Sequence, residues 1–261
     1  MSCEYEVDEG VATITLNRPE VLNAFDDELG GAALAALRRG SDDDSVRCIA
    51  ITGAGRAFSS GEDLGALADG YERGEVPALG DTLVNRYNPL IRTIRAAPKP
   101  VLAAVNGVAA GAGASIALAC DVRIASEHAK LVLAFIKVGL VPDSGAIWFL
   151  TRIVGSARAS RLAASGEPVS ADEGLRLGLF DSVIRADDFE AEWRRLAREL
   201  AAGPTRALAL TKKLVNEAAD RSLDEQLDLE VEAQTQAGQT DDHLEGVKAF
   251  FGKRPPNFTG R

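Results

Sequence analysis

The sequence predicts an α/β chain with a helical C-terminal region, on three observations. Short apolar runs rich in β-branched residues are followed by loops of small residues and then by helical patterns, the signature of buried strands feeding helices. That order occurs three times in the first two thirds of the chain. From Ala186 onward the strand signal almost vanishes and helical periodicity takes over. Strands alternating with helices in this way call for right-handed crossovers.

The elements follow in order. EYEV and VATITL flank the turn signal DEG, so residues 4–16 read as a hairpin. Residues 23–39 read as a helix ended by Gly40. After DDDSV, the run CIAIT (48–52) reads as a buried strand, followed by the loop GAGRAFSSG and a short helix from about Glu62. VLAAV (101–105) then leads through a turn of Gly107, Gly111 and Gly113 into a helix reaching Ala119. A third pass runs from LVLAFIKV through GLVPDSG into AIWFLTRIVG. Residues 66–80, ALADGYERGEVPALG, make a polar connection suited to a lid. The tail carries helical stretches at about 187–202, 204–219, 222–238 and 240–251, and no low-complexity linker precedes it. The organisation expected is a core of residues 1–185 and a helical subdomain of residues 186–261.

Composition narrows the function classes. A chain of 261 residues with 46% hydrophobic content can bury a substantial core, and a net charge of −10 opposes attraction to nucleic acid or an anionic membrane. A small-molecule partner is expected instead. No run of about 18 apolar residues occurs, and the start MSCEYEVDEG lacks an export pattern. Three widely spaced cysteines, Cys3, Cys48 and Cys120, fit a reducing cytoplasm better than a disulfide framework. The two histidines, His128 and His243, form no HxxxH or CxxC cluster, which argues against a metal site.

Three loop-to-helix turns are candidates for one site, because helix starts at the same end of neighbouring strands can converge. FSSGEDL (58–64) and GAGAS (111–115) offer backbone N–H groups with no partner inside a helix, where the dipole favours an anion. VPDSG (141–145) offers a carboxylate, Asp143. Each has a plainer reading. Glu62 and Asp63 suit the first turn of a helix, Asp143 or Ser144 suits an N-cap, and the glycines suit close helix packing. There is no GxSxG nucleophile elbow, no GxxxxGK[ST] phosphate loop and no GxGxxG dinucleotide spacing.

The order of LNRPEVLNAF, AFSSGEDL, KPVLAAVNGVAAGAG, ACDVRIAS, KVGLVPDSG and KAFFGKRPPNF resembles the crotonase superfamily, the enoyl-CoA hydratases and isomerases, over essentially the whole chain. The resemblance implies a spiral of repeated ββα units with a C-terminal helical subdomain. It implies an acyl-CoA thioester as substrate, no separate cofactor, and assembly as a homotrimer or a hexamer of two trimers. It places the two thioester-binding N–H groups at Glu62 and Ala112, both acting through the main chain. Loss of one such donor costs about a hundredfold to a thousandfold where side-chain donors have been tested.

Here the chain departs from the hydratases, whose two glutamate positions match Ser115 and Phe135. Neither is a carboxylate; Ser115 is suited at most to holding a water. Asp143 matches a position where several branches carry a working aspartate, and GLVPDSG followed by Trp148 is most similar to the ring-epoxide isomerases of phenylacetate breakdown. One carboxylate facing an oxyanion hole suits moving a proton from one carbon to another, and apolar neighbours Phe135, Val141, Ile147 and Trp148 would raise its proton affinity if they line the site. By the same resemblance CoA meets Val21, Leu22, Ala24, Ser59, Ser60, Asp63 and Leu64, while Phe250 and Lys253 reach a neighbouring subunit's CoA. A solvated helix end is the plainer reading of Lys253. The expectation is an acyl-CoA isomerase; a hydratase with an altered acid/base set and a non-catalytic acyl-CoA binder are the alternatives, and RNA binding is opposed by the acidic charge.

Overall fold

The computed structural model describes residues 1–261. β1 (Cys3–Asp8) and β2 (Val11–Leu16) form the expected antiparallel hairpin, turned by Glu9 and Gly10 with φ of 46° and 78°. Two consecutive residues at positive φ match the right-handed twist of the strands they join. β2 then pairs in parallel with β3 (Cys48–Gly53), β3 with β5 (Val101–Val105), β5 with β7 (Val122–Ser126) and β7 with β10 (Ser182–Ile184). A second sheet holds β4 (Ala57–Ser59), β6 (Val108–Ala110), β8 (Lys130–Val132) and β9 (Val169–Ser170). Each long strand β3, β5 and β7 thus hands the chain within a few residues to a short strand of the other sheet, and a helix returns it. This is the spiral of repeated ββα units.

Alternation along the strands divides the core in two. Ile49 and Ile51 of β3, with Val101, Ala103 and Val105 of β5, face the main core beneath α1 (Asp27–Asp42), α4 (Asn88–Ala96), α5 (Ala112–Ala119) and α6 (Ala146–Ser165). Cys48, Ala50, Leu102 and Ala104 face the other way, where α8 (Phe189–Ala202) covers them with Phe189, Trp193, Ala197 and Ala201. Both faces are covered, which explains why these strands read as unbroken apolar runs. The helical C-terminal region continues with α9 (Thr205–Ala218), α10 (Leu223–Gly238) and α11 (Asp241–Gly252). Ser222 and Glu225 form a reciprocal capping box for α10, and Thr240 caps α11 through the His243 N–H. No helix is long and apolar enough to cross a membrane.

Three sequence readings need correction. The helix expected from residue 23 begins at Asp27, because Asp26 caps it by accepting from the Leu29 N–H while Leu22 and Asn23 adopt left-handed backbone. It also runs through Gly40, which lets the helix press on Ile49 and Ala12 instead of ending there. No helix starts at Glu62: helical turns begin at Gly65–Leu67 and continue as α2 (Ala68–Glu72), α3 (Leu79–Thr82) and a π turn, Leu83–Tyr87, that feeds α4. In the third pass only Lys130–Val132 is strand; Ala134–Val138 coils into a 3-10 turn that buries Phe135, and α6 is broken at Gly155.

All three cysteines are free and buried, and burial pushes the thiols of Cys48 and Cys120 up to about 12. Thiolates are the reactive form. Ellman's reagent should therefore leave Cys48 and Cys120 untouched in the native protein and label all three thiols in denaturant; prompt native labelling of either would contradict this packing.

Candidate active site

The site is built from main chain first. Phe25, just before α1, bridges to the loop after β4: its N–H donates to the Gly61 carbonyl at 2.7 Å and its carbonyl accepts from the Asp63 N–H at 3.0 Å. In an extended pairing the intervening residue points its N–H the other way. Glu62 is that residue, and its N–H donates to no protein acceptor. Gly61, at φ 94°, lies against the neighbouring turn so closely that a Cβ there would sit 2.9 Å from the Ala110 oxygen and 3.3 Å from the Ala112 nitrogen. Ala112 opens α5, whose N-cap Gly111 offers no side chain, so its N–H is left unpaired by position. The eight residues of α5 are all buried, an apolar setting in which the helix dipole is little screened. Two unpaired donors thus stand on adjoining turns. The first is oriented by a bridge rather than by the helix start that the sequence suggested.

Asp143 joins them through α5. The Ser115 hydroxyl, fully buried, donates toward the Asp143 carbonyl at 3.1 Å and contacts the Gly111 carbonyl at 3.3 Å. That ties the helix carrying Ala112 to the Asp143 loop. Ser144 and Gly145 follow with φ of 51° and 77°, and the Ser144 hydroxyl donates to Asp143 Oδ1 at 2.8 Å. The N-cap of α6 is Gly145, with no side-chain cap, so Asp143 is not spent on capping. Burial pushes the Asp143 carboxyl above its ordinary value, the Ser144 hydrogen bond pulls back, and the nearby Glu62 charge pushes up further. The expected apolar fence is only partly there: Phe135 is buried, but Val141, Ile147 and Trp148 are exposed, and Trp148 has Arg152 stacked on it at 3.6 Å.

Sequence reading missed the partners of the Glu62 side chain. Arg86 Nη1 reaches its two oxygens at 2.9 and 2.7 Å, and the Tyr87 hydroxyl donates to Oε2 at 2.5 Å. Burial and then the Glu62 charge push the Tyr87 phenol up, so it remains a donor. Only the general rule that a half-buried carboxylate needs a counter-charge hinted at them.

The remaining predicted residues fall into two groups. Val21, Leu22, Ala24, Ser59, Ser60, Asp63 and Leu64 come together where the loop before α1 meets the loop after β4. The Ser60 hydroxyl and N–H donate to the Val21 and Leu22 carbonyls, and Ala24's carbonyl accepts from Arg18. Ser59 is fully buried, its hydroxyl donating to the Asn23 carbonyl, and Asp63 is committed to Arg18 and the Ala66 N–H. These side chains stitch the loops together. Phe250 and Lys253 stand apart at the end of α11, with Phe250 exposed against Phe251. A cavity of about 560 Å³ between α6 and α9 borders none of Glu62, Ala112 or Asp143.

The sequence model for enoyl-CoA hydratase/isomerase matches residues 6–261. The chain belongs to that family. It is 46% identical over 255 residues to the 1,2-epoxyphenylacetyl-CoA isomerase of Escherichia coli, covering 98% of this chain and 97% of that protein. It is 47% identical over 258 residues to a probable enoyl-CoA hydratase of Rhodobacter capsulatus, with the same coverage. Among solved structures, an enoyl-CoA hydratase/isomerase described as putative, from Mycobacterium abscessus, superposes with a TM-score of 0.92 at 34% identity, covering 99% of this chain and 100% of that one. The family's fold is the ββα spiral described above.

Gly61→Ala tests the contact between the two turns. A Cβ at φ 94° strains the backbone and intrudes on Ala110 and Ala112. Such a position costs on the order of 1–3 kcal/mol. Thermal melting should show the loss, and a variant as stable as the wild type would mean that the turns do not abut.

Proposed function

We propose that the protein is an acyl-CoA isomerase that forms a thioester enolate and moves one proton. The observation that carries this reading is Asp143: a carboxylate with raised proton affinity, free of capping duty, tied through Ser115 to the helix that begins with Ala112. Its ionised form takes a proton from a carbon adjacent to the conjugated system. The electron pair moves onto the thioester oxygen, which accepts from the Glu62 and Ala112 main-chain N–H groups. The same carboxyl then returns the proton to a different carbon, so the base is regenerated and nothing is consumed.

Ser115 is bonded to main chain and Phe135 is apolar, so neither supplies the second acid/base group that adding water across a double bond requires. Hydration remains the second reading because one other carboxylate, Glu62, lies near Asp143. Arg86 and Tyr87 already occupy it, which favours isomerisation. The relatives support both chemistries, one being an epoxyphenylacetyl-CoA isomerase and another a probable enoyl-CoA hydratase. Coenzyme A enters as part of the substrate, along Val21, Leu22, Ala24 and the Ser59 to Leu64 loop.

Assembly is part of the proposal. Leu223, Leu227 and Val231 recur at four-residue spacing on α10 and are exposed, as are Leu244, Val247, Phe250 and Phe251 on α11. Such stripes call for a covering surface. A trimer, or a hexamer of two trimers, covers them and brings Phe250 and Lys253 to a neighbour's CoA. Free, buried thiols suit the reducing cytoplasm as its location.

Asp143→Asn should keep the fold and CoA binding while lowering isomerase turnover at least about a hundredfold, as loss of a general base does; turnover within threefold of wild type would sink the assignment. Because the base must be ionised, wild-type kcat/KM should fall as pH drops through the raised Asp143 pKa, giving an acid limb above the ordinary aspartate range of about 3.9. Screening straight-chain, branched and aromatic acyl-CoAs should show isomerisation of a 3-enoyl-CoA outpacing hydration of crotonyl-CoA, and faster hydration would favour the second reading. Deleting residues from Gly246 onward should loosen the assembly and weaken CoA affinity together, as measured by light scattering and calorimetry. A tight-binding, folded monomer would show that the tail has neither role.

A further inference from the structure

Arg86 is built into its place with unusual care for a surface arginine. It lies on the π turn Leu83–Tyr87, a local irregularity that often marks functional positions. Its stem crosses α1 at Gly30, where any Cβ would come within 2.4 Å of Arg86 Cγ. Only 11% of its side chain is exposed. One guanidinium serves two carboxylates, Glu62 at 2.7 Å and Asp27 at 2.5 Å. Burial opposes its charge, but the bonds to Asp27 and Glu62 outweigh that and hold it firmly cationic. With Tyr87 neutral, the cluster retains one net negative charge.

We propose that the Glu62 side chain, clamped by Arg86 and Tyr87, is a positioning residue for Asp143: it presents a fixed negative charge to the base while anchoring the loop whose main-chain N–H serves the substrate oxygen. This rests on the reading of Asp143 as the base. Glu62 does not move the proton itself, because three hydrogen bonds from Arg86 and Tyr87 occupy its oxygens. Its charge acts through space on the neighbouring carboxylate.

Geometry brings the two carboxylates to one place through α5: the turn carrying Glu62 abuts its first residue, Ala112, through Gly61, and Ser115, one turn further along, meets the Asp143 carbonyl. α5 presents only the neutral Ser115, and the adjacent Ser144 is a neutral donor. Lys137 of the 134–138 turn lies against Gly166. Arg152 of α6 is taken up by Asp220 and Trp148. Behind Glu62 stand Arg86 of the π turn and Asp27 of α1, which set how much of its charge remains. A like charge beside a base raises the pH at which it titrates, toward the range where a proton shuttle works best.

The test is a titration of the Asp143 carboxyl by carbon NMR in protein labelled at aspartate Cγ, its signal assigned by its loss in Asp143→Asn. Glu62→Gln should lower the Asp143 midpoint by about 0.5 pH or more. Tyr87→Phe, a conservative change that strips one donor from Glu62, should move it the opposite way by about 0.2 pH or more. The acid limb of kcat/KM should follow both shifts. A midpoint that stays within about 0.1 pH in Glu62→Gln, or rises, overturns the proposal; should that variant fail to fold, an unmoved midpoint in Tyr87→Phe does so. Full turnover in Asp143→Asn would instead count against Asp143 as the base, while the NMR shifts would still report whether Glu62 acts on it.

Discussion

Two hydrogen bonds between Phe25 and the loop after β4 are the constraint on which the candidate site depends. They pair Phe25 with Glu62 as a fragment of parallel sheet, which holds Gly61 at a backbone angle few other residues tolerate and turns the Glu62 N–H away from the protein's own acceptors. Phe25 can make them because its ring is fully buried between α1 and the π turn, against Tyr87. Asn23, also buried, fastens the turn that leads into β4 by donating to the Ala54 and Ala57 carbonyls. A stretch without helix or strand is thereby tied on both sides by hydrogen bonds to the segment before α1. An unpaired main-chain donor keeps its direction only when its neighbours are held in this way.

Electrostatics are then layered on this frame. Asp143 and Glu62 are both acidic, yet their surroundings separate their roles. Asp143 is buried, so its proton affinity rises even though the Ser144 hydroxyl pulls it back. Glu62 receives a guanidinium and a phenol, whose three hydrogen bonds occupy both of its oxygens. One carboxylate is therefore open to exchange a proton, while the other is held in place by its donors. Separating two neighbouring carboxylates by environment is a general way to assign acid and base duties.

The sheets and the helical region contribute differently. α8 belongs energetically with the six-stranded sheet, since Phe189, Trp193, Ala197 and Ala201 close its second face. α10 and α11 instead leave long apolar stripes in contact with solvent in the protomer. A chain that buries its strands so thoroughly keeps much of its exposed hydrophobic surface on its last helices.

The sequence by itself determined the fold class, the hairpin, the buried strands and the four C-terminal helices, because each follows from periodicity within one segment. Glycines and an aspartate at ordered spacings marked three turns, and the resemblance to the crotonase superfamily singled out Glu62, Ala112 and Asp143 within them. Tertiary structure decided what those residues do locally. Gly40 reads as a helix end but is a packing contact, since only the folded chain brings Ile49 and Ala12 against it. Glu62 reads as a first-turn acid but is an extended residue, since Phe25 reaches it only after the chain has turned back on itself. Ser115 and Asp143 are 28 residues apart, and Arg86 and Glu62 are 24 apart. No local pattern encodes either contact, because hydrogen bonds and charge pairing at that separation depend on where the intervening strands and helices place the two ends.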